Sequence, residues 1–135
     1  MTSWWIAVAA VSAAGLRVVG DAAPDRLAAP GDAVRGRALV VARESANCVL
    51  CHAVPDPAVR FAGNVGPSLA GVGTRLSEAQ LRLRVADNVR VNPATVMPSY
   101  YRIDGMDRVA SNYAGKPVLT AQQVEDVVAW LITLK

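Results

Sequence analysis

The stretch that decides the reading is Cys48-Val49-Leu50-Cys51-His52. Its two thiols stand about one helical turn apart, and an imidazole follows the second directly. The 135-residue chain holds two Cys and one His in total. A structural zinc site takes four ligands, so the count excludes it. A thioredoxin-type redox pair sits near a strand-to-helix junction, and no strand pattern precedes Cys48. A disulfide between residues this close would constrain little. What remains is C-x-x-C-H, the attachment signature of c-type haem. Each thiol can add to one vinyl group, and the adjacent His52 then lies under the iron as proximal ligand. With both Cys and the His consumed, there is room for one haem c, bound covalently through Cys48 and Cys51.

The sixth ligand has to come from elsewhere. The candidates are Met97 and Met106, since Met1 lies in the leader. Val96-Met97-Pro98 stands 45 residues beyond His52 in a loop, with Pro98 fixing the backbone beside the sulfur. A thioether suits low-spin haem iron, and His/Met ligation raises the reduction potential. Met106 lies in Asp104-Gly105-Met106-Asp107, where flanking acids disfavour a buried haem face. The reading favours Met97, so the metal ligands expected are His52 and Met97.

Composition agrees with a large non-protein body in the core. The chain is 53% apolar and 19% charged, which excludes a disordered composition. Yet it has only three Trp, three Tyr and one Phe. Trp4 and Trp5 lie in the apolar N-terminal stretch, leaving Phe61, Tyr100, Tyr101, Tyr113 and Trp130 to build a core. Aromatic rings normally carry much of that burial, and a porphyrin supplies the shortfall. The formal charge is +3. Its arginines (Arg35, Arg37, Arg43, Arg75, Arg82, Arg84, Arg90) are spread along the chain and read as a solvated, mildly basic surface. A nucleic-acid binder shows a denser stripe.

Residues 1–16 carry no charged side chain, and Trp4 to Leu16 is an apolar run of thirteen. A membrane span needs roughly 20 residues, so residues 1–20 read as a secretory leader with cleavage between 20 and 23. That implies a periplasmic protein without a permanent anchor. The leader lacks a basic residue ahead of its apolar run. Residues 21–31 (DAAPDRLAAPG) read as a linker, and 32–135 as the folded domain.

Within that domain three helices are expected, with no strands. The first runs from an Asp32 cap to about Glu44, with Val34, Ala38 and Val41 on its apolar face. The second starts at Ser77 and reaches about Val89. Ser77 and Gln80 form a capping box there, and Leu76 and Leu81 a hydrophobic staple. The third repeats the signature at Thr120 and Gln123, with Val124, Val127, Val128 and Leu131 at helical spacing. Between the helices lie two loops of nearly thirty residues. Loops of that length belong in a compact domain when they wrap something.

These parts, in this order, resemble the monohaem class I cytochromes c over residues 32–135, an all-α fold with long loops around one covalent haem. The resemblance implies that the first and last helices cross closely at Gly36 and Trp130. It also implies that the Pro67 carbonyl in Gly66-Pro67-Ser68-Leu69 accepts the His52 Nδ1–H, and that Arg75 contacts a haem propionate. The blocks Asn92-Pro93, Met97-Pro98-Ser99-Tyr100-Tyr101 and Tyr113-Ala114-Gly115-Lys116-Pro117-Val118-Leu119-Thr120 are similar, more narrowly, to the SoxX family. These are the small monohaem subunits of the SoxAX cytochromes of bacterial thiosulfate oxidation. That resemblance implies a heterodimer with a larger SoxA-type subunit, which joins thiosulfate to a carrier-protein cysteine. The small subunit takes up the electrons released and passes them to a soluble cytochrome c.

The chain offers no catalytic residues of its own, because both Cys are tied to haem and no spare His remains for acid–base work. It reads as an electron carrier, or as the electron-accepting subunit of an enzyme complex. Two alternatives stay open. One is a free-standing periplasmic cytochrome c delivering electrons to a terminal oxidase. The other is a haem peroxidase or gas-binding sensor, which requires that Met97 is not a ligand.

Overall fold

The computed structural model describes residues 15–135; the expected leader covers 1–20, so most of it lies outside the described residues. Helix α1 spans Ala33–Val41, α2 Val72–Arg75, α3 Glu78–Asp87 and α4 Ala121–Leu131. Short 3-10 turns occupy Cys48–Leu50, Asn88–Arg90 and Ser111–Tyr113. Among the described residues no helix is long and apolar enough to cross a membrane.

The helix starts follow their local chemistry. The Asp32 carboxylate accepts the Arg35 N–H at 2.8 Å. Ser77 and Gln80 form a complete capping box on α3, and Thr120 and Gln123 another on α4. Each satisfies amide groups that the first helical turn leaves without partners. The staple residue Leu81 is buried and Leu76 packs against the core. The expected reach of the second helix to Val89 is cut short, since α3 gives way to a 3-10 turn at Asn88.

Helices α1 and α4 cross at the centre. A Cβ on Gly36 would run into the backbone carbonyl of Asp126, so only glycine allows the two backbones this approach. Val124, Val127, Val128 and Leu131 of α4 are all buried, with Trp130 beside them. The face expected for α1 is corrected. Val34 is 79% exposed and Ala38 is exposed, while Gly36 and Val40 are buried. Backbone contact at Gly36 sets the rotation of α1, and a nine-residue helix with scattered apolar side chains has no periodicity strong enough to oppose it.

The stretch read as a linker lies folded onto the domain. Ala23 is fully buried and its N–H donates to the Ala79 carbonyl at 2.9 Å. The Asp21 carboxylate accepts from Gln80 at 3.0 Å and from Arg84 at 3.1 Å. Beneath this strap Arg82 and Glu125 form a buried pair at 2.7 and 3.0 Å. Arg82 also donates to the Ala23 carbonyl at 2.9 Å, and Glu125 accepts the Leu27 N–H at 2.9 Å. Arg82 therefore leaves the solvated set in which its sequence context placed it. A guanidinium can be buried there because strap and α4 together satisfy its donors.

Candidate functional site

The C-x-x-C-H motif opens immediately after Asn47, which takes the left-handed backbone conformation at φ 49°. Asn tolerates that region better than most residues, and the reversal starts the turn at Cys48–Leu50. The His52 N–H closes onto the Cys48 carbonyl at 2.9 Å, which sets the two thiols and the imidazole on one tight turn. The next loop folds back over the motif. The Gly66 N–H donates to the Cys51 carbonyl at 2.8 Å, and the Leu69 N–H to the Ala53 carbonyl at 2.9 Å.

That return brings Pro67 to His52. Nδ1–H of His52 donates to the Pro67 carbonyl at 2.6 Å, which fixes the tautomer and leaves Nε2 as the basic ring nitrogen. Gly66 lies flat against the imidazole, where a Cβ would strike the ring. The donor set and this cradle fit a haem held by two thioethers and one imidazole: two thiols, and one His ring oriented from behind with a free nitrogen in front. Burial pushes the free Cys48 thiol up to about 11.

Arg75, at the end of α2, donates to the Ala70 carbonyl at 2.7 Å and to the Ser68 carbonyl at 3.2 Å. It thus braces the Pro67 loop. Tyr100 is buried, and its hydroxyl donates to the Ala46 carbonyl at 2.8 Å, two residues before Cys48. Burial keeps this phenol protonated by raising its pKa. Of the five rings expected for the core, Tyr100 and Trp130 are buried whereas Phe61 is 83% exposed.

Met97 packs against the core on the loop after α3. Its N–H donates to Thr95 Oγ1 at 3.1 Å, and Thr95 Oγ1 also accepts from Asn88 Nδ2 at 2.8 Å. Ser99 donates to the buried Asp87 carboxylate at 2.6 Å. Met106 lies in the next segment, between the exposed Gly105 and Asp107. The sequence reading did not single out Asp87, Asn88, Thr95 or Ser99. Their only trace in the sequence is the density of small polar residues on both sides of Met97.

The chain matches the cytochrome c family over residues 33–135. It belongs to the cytochrome c family. Among solved structures this cytochrome is similar to a chain described as "Crystal structure of SoxXA from P. pantotrophus". The two share 40% identity at a TM-score of 0.82, over 89% of this chain and 94% of that one. Comparison with curated proteins found no match. The cytochrome is an all-α electron-transfer protein carrying one haem c, attached through Cys48 and Cys51.

Proposed function

We propose that this cytochrome is the SoxX-type subunit of a periplasmic SoxXA-type complex, with His52 and Met97 as the axial ligands of its haem. The bound haem supplies reversible one-electron chemistry at iron. The protein's part is to hold and orient it. Cys48 and Cys51 would fasten it, His52 would ligate the iron through Nε2 with Pro67 steadying the ring, and Met97 would supply the second protein ligand. Arg75 braces the Pro67 loop, and its remaining guanidinium N–H groups would be the donors for a propionate.

The observation that carries the reading is the 40% identity spread over 94% of the SoxXA chain. Likeness at that level over nearly the whole length favours the same role: accepting the electrons released when a SoxA-type partner joins thiosulfate to a carrier-protein cysteine. Residues 1–20 are the secretory leader, and 21–31 stay with the mature protein as its strap.

The test is expression with a c-haem maturation system alongside the neighbouring genes. The expected result is a stable complex of this chain with a larger haem-bearing chain. Met97→Ala should keep its covalent haem but lose the thioether-to-iron charge-transfer band of the ferric protein. Isolation of a lone monomer refutes the SoxX reading; a parent protein without that band refutes the Met97 assignment.

A further inference from the structure

We infer that Asp87 and Asn88, at the end of α3, are positioning residues that hold the Met97 sulfur against its release from the iron. The inference rests on Met97 being the distal ligand. Asp87 and Asn88 grip the Met97 loop at two points placed symmetrically about the ligand. Two residues before Met97, Thr95 Oγ1 accepts from Asn88 Nδ2 at 2.8 Å and from the Met97 N–H at 3.1 Å. Two residues after it, Ser99 donates to Asp87 at 2.6 Å, with both side chains buried.

The grip is itself anchored. Arg102 at 3.1 Å and Arg90 at 3.4 Å hold the Asp87 carboxylate. Just beyond Ser99 the backbone is tied to the preceding turn of α3. The Tyr100 N–H donates to the Val85 carbonyl at 3.3 Å and the Tyr101 N–H to the Ala86 carbonyl at 3.1 Å. Residues 85–88 thus form one continuous docking strip for residues 95–101. Pro93 and Pro98 stiffen the loop but donate no backbone hydrogen bonds to hold it. Ahead of Met97 the hold on α3 therefore falls to the Asn88 side chain, and beyond it Asp87 shares the hold with the Tyr100 and Tyr101 amides. Moving the sulfur off the iron requires the segment between the two grips to swing out, which strains or breaks at least one of them.

The experiment measures how fast cyanide displaces the thioether in the ferric holoprotein, at saturating cyanide. Ser99→Ala, which removes one hydrogen bond, should raise that limiting rate about tenfold, and Thr95→Val, which removes two, at least as much. Thr95→Ser, which keeps the hydroxyl, should stay within about twofold of the parent. Ser77→Ala provides the control for general destabilisation, because it removes the α3 N-cap far from the loop; it too should stay within about twofold. Unchanged rates in both Thr95→Val and Ser99→Ala overturn the inference. So does a Ser77→Ala rate raised as much as theirs. A parent ferric protein without the charge-transfer band refutes the Met97 assignment and takes this inference with it. A parent with the band but with unmoved variant rates refutes the grip alone.

Discussion

Arg82 of α3 and Glu125 of α4 form a two-point ion pair at 2.7 and 3.0 Å, with both side chains at most 3% exposed. The pair joins three parts of the chain, because the N-terminal strap contributes the Ala23 carbonyl to Arg82 and the Leu27 N–H to Glu125. Removing one partner leaves a buried charge without its counterion, while removing both leaves an apolar gap that can repack. Glu125→Ala should therefore lose about 4 kcal/mol of stability, and Arg82→Met with Glu125→Leu much less. Denaturant unfolding of the holoprotein measures both. Equal losses in the single and double variants would contradict this account.

Gly36 makes a second, sharper prediction. Because a Cβ there meets the Asp126 carbonyl rather than a flexible side chain, the helices must move apart to admit one. Gly36→Ala should cost about 3 kcal/mol, at the upper end of overpacking penalties. A denaturation midpoint unchanged from the parent would show that α1 and α4 do not depend on this contact.

Acid stability should depend on Asp126. Its hydrogen bonds from Arg35, at 2.8 and 2.9 Å, hold the carboxyl below its ordinary value of 3.8. A folded value below the unfolded one means that the stabilisation is present above that ordinary value. It is lost as the pH falls through the lowered one. Asp126→Asn should then show a shallower loss of stability below about pH 4 than the parent. Parallel stability profiles for the two proteins would exclude this contribution.

Gly66 guards the orientation of His52. A Cβ at this position forces the imidazole to turn and breaks its hydrogen bond to the Pro67 carbonyl. Gly66→Ala should reduce the yield of low-spin holoprotein about tenfold, the usual scale for losing a partner behind a ligating His. Haem staining and the ferric spectrum read the result; parent yield with a parent spectrum would show that the cradle is dispensable.

What was legible in the sequence is what short-range chemistry decides. C-x-x-C-H carries its own spacing rule, and two capping boxes announce α3 and α4 because the amides they satisfy lie within one turn. The α4 face was readable for a related reason: four aliphatic residues at helical spacing all turn to the same side. The weaker pattern of α1 misled, since Gly36 and not Val34 decides which side is buried. The residues 21–31, rich in Ala and Pro, look like a linker until Arg82 and Glu125 are placed beneath them. No local signal reports that a carbonyl at Ala23 will complete a guanidinium's hydrogen bonds 59 residues away.

The motif, the cofactor it implies, the helix starts and the single loop methionine preceding Pro98 were thus determined by the sequence alone. The tertiary structure decided how these parts are held: Pro67 behind His52, the strap over the buried pair, and Asp87 and Asn88 on either flank of Met97. Each of the latter depends on groups from separate segments of the chain meeting, and at the Arg82–Glu125 pair and the Asp87–Ser99 bond they meet where water is excluded. A hydrogen bond formed there is costly to leave unmade, and its partners are known only once the chain has folded.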